Sequence, residues 1–171
     1  TIAQYFPRMC VYNDVTGWQN KQFLGTGEFT LPFGDYEVSI TVPADHVVAA
    51  TGECQNLDAL LNTDEKKRLA QARKSDSPVI IVTQAEAELA EKTKSSKTKT
   101  WIFKATNVRD FAFASSRKFI WDAQNQNVGG KNILCMSYYP KEGNPLWERY
   151  STKLVAHTIK TYSKYLLLYM F

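Results

Sequence analysis

A mixed α+β fold, predominantly antiparallel β with a helical excursion and a long carboxy-terminal helix, is expected of this 171-residue chain. Three patterns lead there. Short β-branched and aromatic runs alternate with Gly and Asp turn signals over the first fifty residues. Capped, charge-rich segments then interrupt the strands between residues 57 and 92. Finally, apolar side chains recur at three- and four-residue steps through Trp147, Tyr150, Leu154, Val155, Ile159, Tyr162 and Leu166.

Taken in order, residues 9–12, 22–24, 29–33 and 36–42 read as short strands, separated by Asp14, Thr16-Gly17, Gly25 to Gly27 and Gly34-Asp35. The run 36–42 is the clearest of them. Its even positions Tyr36, Val38, Ile40 and Val42 share one face and Glu37, Ser39 and Thr41 the other, the signature of a half-buried antiparallel strand that Pro43 stops. Residues 46–51 make another strand, closed at Gly52. A helix over 64–74 follows, with Thr63 as its hydroxyl cap and Asp64 and Glu65 at the positive end of its dipole. Residues 79–82 form a buried strand, and Thr83 with Glu86 is a capping box opening a short helix. The lysine-rich stretch 92–100 reads as a solvated loop. Strands resume over 100–105, 110–115 and 118–121. The polar stretch 124–130, ending in Gly129-Gly130, is the best boundary candidate. Beyond it come a strand over 133–139 and a long helix that Asn144 caps, with Pro145 in its first turn and the apolar stripe facing the core.

Composition narrows the function classes. At 44% hydrophobic the chain can bury a sizeable core, and a net charge of +4 is too small a bias to argue for nucleic acid. Three scattered cysteines, Cys10, Cys54 and Cys135, suggest neither a disulfide framework nor a CxxC pair. The longest apolar run, residues 166–171, is far short of the roughly 20 residues that span a bilayer as a helix. It looks like an element meant to pack on something. Because the chain opens on Thr1, a processed or excised start is expected, which leaves the compartment open.

The chemistry-bearing residues are sparse. Zinc hydrolysis wants paired imidazoles with a glutamate base, and only His46, at a strand start, and His157, mid-helix, are present. His157 reads as a surface or contact residue. Cys10 and Cys135 lie among strand residues and should be buried, while Glu53 beside Cys54 should raise that thiol's pKa. No Gly-x-Ser-x-Gly elbow, phosphate-binding loop or dinucleotide fingerprint occurs. Asp35, Glu53 and Asp110 flank strand ends, where turn chemistry accounts for them. Of the four tryptophans, Trp101, Trp121 and Trp147 belong to core-forming elements, and Trp18 alone looks loop-borne, open to sugar stacking.

Read together, QYFPR from Gln4, GW at Gly17, GEF from Gly27, GDYEVSITVP from Gly34, ATG from Ala50, WIFKAT from Trp101 and DFAFA from Asp110 resemble the aminopeptidase N family of zinc metallopeptidases. The likeness is to the family's amino-terminal β-domain. Residues 133–165, with WERYSTK from Trp147, resemble the opening of its thermolysin-like catalytic domain. The resemblance implies a β-sandwich or saddle-like β-domain over residues 1–128, with a helical insertion near 57–92, and the first strand and helix of an incomplete catalytic domain over 129–171. It also implies zinc in the full-length relative, a peptide substrate and the remainder of the catalytic domain as partners. The family's Gly-x-Met-Glu-Asn segment, H-E-x-x-H helix, downstream Glu ligand and oxyanion Tyr are not in this chain, so no catalytic or metal-ligating residue and no bound cofactor is assigned to it. One site residue carries over. Gln4 stands where the family's substrate-amine acceptor is expected, its amide oxygen able to accept from an ammonium; the other reading is a polar strand-edge residue. The expected function is a catalytically inactive fragment of a zinc aminopeptidase, and the alternative is a non-enzymatic β-rich binding module.

Overall fold

The computed structural model describes residues 1–5, 9–20, 22, 25 and 31–165, except for the side chain of Gln4. Along the chain the elements are β1 (Ile2–Tyr5), β2 (Tyr12–Asn13), β3 (Gly17–Trp18), β4 (Gly34–Pro43), β5 (Val47–Ala50), β6 (Glu53–Cys54), α1 (Leu57–Leu60), α2 (Thr63–Ala72), β7 (Val79–Val82) and α3 (Gln84–Thr93). Then come β8 (Thr98–Val108), β9 (Phe113–Ser116), β10 (Ile120–Val128), β11 (Lys131–Tyr139), a single 3-10 turn (Lys141–Gly143) and α4 (Leu146–Tyr165). The fold is mixed α+β, and every strand pair among the described residues is antiparallel.

Among the described residues four small sheets carry the architecture, ordered β4-β8-β6, β1-β9-β5, β11-β10-β7 and β2-β3. The first is the one the alternation predicts. In β4 the side chains of Ile40 and Val42 are buried while Glu37, Ser39 and Thr41 face solvent, and Val38, Ile40 and Val42 stand opposite Phe103, Trp101 and Lys99 of β8. The buried faces merge into one core through Ile40, Val48, Leu69, Ile81, Trp101, Phe103, Phe111 and Trp121. At about 25 cal/mol per Å² of apolar surface, burying such large side chains is the main force for collapse.

Several boundaries differ from expectation, each for a local reason. Asn62, not Thr63, caps α2: its side chain accepts from the N–H groups of Asp64 and Glu65 while Glu65 reaches back to the Asn62 N–H. The Thr83–Glu86 box opens α3 as expected. The lysine-rich loop shrinks to four residues, because α3 runs to Thr93 and β8 starts at Thr98, with Lys94 in left-handed geometry between them. Of the strand expected over 9–12, only Tyr12 is strand. Of the strand expected over 29–33, residues 31–33 are not strand and 29–30 lie outside the described residues, as do residues 23–24 of that over 22–24.

The largest change concerns 118–139. Residues 124–128 are not a linker: β10 and β11 form a nine-rung hairpin from Ile120↔Tyr139 to Val128↔Lys131, and Gly129-Gly130 is its turn, both at positive φ. Polar side chains misled here because a hairpin end can be amide-rich; Asn125 and Asn127 both donate to Asn132 Oδ1, at 3.3 and 3.0 Å. The expected division at 128/129 thus falls inside a continuous ladder.

The core-facing stripe of α4 is also corrected. Its buried residues are Thr152 and Ala156, whereas Trp147, Tyr150, Leu154, Val155 and Tyr162 are exposed, at 44%, 46%, 59%, 38% and 53%. Leu166 lies outside the described residues. The helix rests across β10 and β11 on its narrow, small-residue side and turns Tyr150, Leu154 and Tyr162 outward, while the half-exposed Trp147 packs edge-on against Tyr139 at 6.4 Å.

Candidate functional site

Polar groups gather at the β1-β9-β5 sheet, at the seat of α4 and in a cleft beside α2. Gln4 lies in β1, which pairs with β9 through Ile2↔Ser115 and Tyr5↔Phe113; its side chain is outside the described residues. Beside that strand, His46 Nδ1 and Ser115 Oγ are 2.9 Å apart and both buried. Thr1 Oγ1 reaches Ser116 Oγ at 2.8 Å. Asp45 is bound by Arg117 at 3.1 and 3.4 Å and by the Ser95 N–H at 2.8 Å. Burial works to raise the pKa of Asp45, but these donors outweigh it and hold the carboxyl below its ordinary value. Burial, with Arg117 nearby, lowers the pKa of His46 and so disfavours the charged ring.

A histidine hydrogen-bonded to a serine has the form of a base and nucleophile. Here Ser115 is fully buried and the neighbouring carboxylate is committed to Arg117, so the pair holds β5 to β9 rather than meeting a substrate. The register Val48↔Ser115 is what joins them, and no sequence spacing announces it.

The seat of α4 is a polar cluster inside an otherwise apolar wall. Asp122 of β10 is 1% exposed; its Oδ2 accepts from Tyr139 O–H at 2.6 Å and its Oδ1 is hydrogen-bonded to Thr152 of α4. Thr152 Oγ1 also lies 2.7 Å from Ser137 Oγ, the residue directly across the ladder from Asp122. Burial raises the pKa of Asp122 despite these hydrogen bonds, with Glu148 adding to the rise, and burial likewise pushes Tyr139 above its ordinary value. Sequence reasoning missed this carboxylate. Its one signal is an acidic residue set inside the strand run Phe119, Ile120, Trp121, Ala123.

The cleft of about 290 Å³ beside α2 is lined by Cys54, Leu57, Asp58, Lys66, Leu69 and Arg73. The Cys54 thiol is pushed up by burial, not by Glu53, and its Sγ rests 3.6 Å from Asn56 Oδ1. That is the setting of an unreactive thiol. Cys135 is buried as expected; Cys10 is exposed, correcting the expectation for it. Trp101 and Trp121 are core residues, Trp147 is not, and Trp18 is strand rather than loop, packed edge-on against Tyr12 at 5.2 Å with both rings exposed. Asp35 lies inside β4 and accepts from the Asn107 N–H of β8 at 2.8 Å, a cross-strand contact at the irregular end of the ladder rather than the turn role expected of it.

The described residues do not fit a zinc centre. No three His, Cys, Asp or Glu side chains among them converge to hold a metal, His46 is engaged with Ser115, and His157 faces solvent beside Thr161 at 3.3 Å. Among the described residues no helix is long and apolar enough to cross a membrane. No family model, curated protein or solved structure matches this chain.

Proposed function

We propose that the chain is the later part of the β-domain of a zinc-dependent aminopeptidase, joined to the first strand and helix of its catalytic domain. In that reading it supplies scaffold and, through Gln4, an acceptor for the substrate's free amine, while the hydrolysis belongs to residues that this chain does not carry. One observation gives the reading most support. Leu146, Trp147, Tyr150 and Leu154 leave the outer side of α4 as an exposed apolar face, and a helix of this kind is what a further catalytic lobe would cover. The peptide substrate and the remainder of that lobe are the partners it implies.

Incubation with zinc and an aminoacyl-anilide is expected to give no turnover above a protein-free control; turnover would contradict the assignment of catalysis to absent residues. The reading frame beyond Phe171 is expected to encode H-E-x-x-H, and a natural stop there would favour a non-enzymatic binding module instead. That second reading has its own support in the exposed Tyr12–Trp18 pair, with Val15 86% exposed at the turn between them. It predicts fluorescence quenching of Trp18 on titration with a glycan, and a flat titration removes it.

A further inference from the structure

Asp122 has a chemical peculiarity that its hydrogen bonds make clear. Its neighbours are hydroxyls: Thr152 from α4, and Tyr139 and Ser137 from β11, while β7 opposes it with Ile80 and α3 adds Ala87 to the same apolar cluster. The one ionisable side chain on α4 that bears on it is Glu148, which is itself acidic. A buried carboxylate without a cation is costly, and the carboxylic acid avoids that cost.

The hydroxyl chain accommodates either state. With Asp122 protonated, Tyr139 donates to Oδ2, the acid proton on Oδ1 is donated to Thr152 Oγ1, and Thr152 donates onward to Ser137. When the proton leaves for water, the chain reverses: Ser137 donates to Thr152 and Thr152 to the carboxylate. Every hydroxyl keeps a partner in both directions. What changes is the charge, which sits unneutralised beneath α4.

We propose that Asp122, Thr152, Ser137 and Tyr139 form a proton-holding latch that seats α4 on the β10–β11 hairpin and slackens when Asp122 ionises. The inference stands independently of the aminopeptidase reading. It puts the exposed Tyr150 and Leu154 under the same control, because they lie on the helix that Thr152 holds. The burial-raised pKa of Asp122 agrees with it. The sign follows: the latch is fully closed below the ordinary carboxylate range, near pH 4, and weakens as pH rises toward the higher folded pKa, where the effect levels off.

The test is amide hydrogen exchange on the whole chain between about pH 4 and pH 8, comparing α4 with β4 and β8 as an internal reference. After correction for intrinsic rates, the opening constant of α4 should rise about tenfold or more relative to the reference strands. Asp122→Asn, which has no proton to lose, should abolish that rise. Thr152→Val should lower α4 protection at every pH, and Thr152→Ser should restore it. An α4-to-reference ratio that stays flat in the wild-type chain overturns the proposal, as does an unchanged pH dependence in Asp122→Asn. Should Asp122→Asn fail to fold, the Thr152 pair decides: loss of protection spread equally over β4 and β8 overturns the latch.

Discussion

The β4–β8 ladder and helix α4 are both amphipathic by sequence, yet they meet the core in opposite ways. In β4 the apolar face points in, against Trp101 and Phe103, and polar side chains point out. In α4 the small and polar side, Thr152 and Ala156, points in and the aromatic side points out. A strand that pairs along ten residues has its orientation fixed by the period-2 pattern, since a one-residue slip would expose the whole apolar set. A helix on a hairpin can be held instead by one directional cluster of hydrogen bonds, and its hydrophobic side then remains for something else.

The largest effect should come from attacking the ladder. Trp101→Ala is expected to cost about 3–5 kcal/mol, read from urea denaturation. Gly52→Ala should also be severe: Gly52 has φ +85, and a Cβ there would run into the Lys104 carbonyl of β8. If Trp101→Ala costs less than Tyr150→Ala, the contrast between the two regions fails.

Next in size is Thr152→Val, expected to cost about 1–3 kcal/mol because it strips a partner from buried Asp122 and Ser137 at nearly constant volume. A loss no larger than that of Leu154→Ser would place the grip on α4 elsewhere.

The two regions should also differ in their response to acid. His46 has a folded pKa below its ordinary 6.5, so the unfolded chain takes up the proton first, and stability of the β5–β9 region falls as pH drops through and below that value. Thermal unfolding of His46→Gln should lose this component. Asp122 acts in the other sense, its contribution being lost as pH rises from the ordinary carboxylate range toward its higher folded pKa, so acid should weaken the β5–β9 side while that rise weakens the α4 seat.

Smaller still is the Arg68–Glu86 pair, bidentate at 2.9 and 2.6 Å. The Arg68 hydrogen bonds are the main reason that the Glu86 pKa falls to about 2, although burial opposes it. Its contribution is present above the ordinary carboxylate range and is lost as pH falls toward about 2. Because Glu86 is partly exposed, Glu86→Gln should cost only about 0.5–1 kcal/mol, and less in high salt. Smallest of all, Tyr150→Ser with Leu154→Ser should leave stability within about 0.5 kcal/mol per site and reduce self-association in sedimentation.

What could be read in advance follows the same division. The alternation at 36–42, the Thr83–Glu86 box and the long final helix were legible because each rests on local periodicity or capping. The β10 strand over residues 124–128 was not, since a paired strand end and a polar linker share a composition. Neither the His46–Ser115 pair nor the Asp122 cluster has a sequence signature, because both arise from strand register between distant segments. The orientation of α4 is not legible for a related reason: its stripe is apolar, but the hairpin meets its buried side with a carboxyl and two hydroxyls.

The most direct test is a pH titration of the Asp122 side-chain carboxyl by carbon NMR in the intact chain. A midpoint above the ordinary 3.8 is the predicted result. A midpoint at or below 3.8 would mean that Asp122 is charged beneath α4 throughout the working range, and would contradict the account of how the helix is seated.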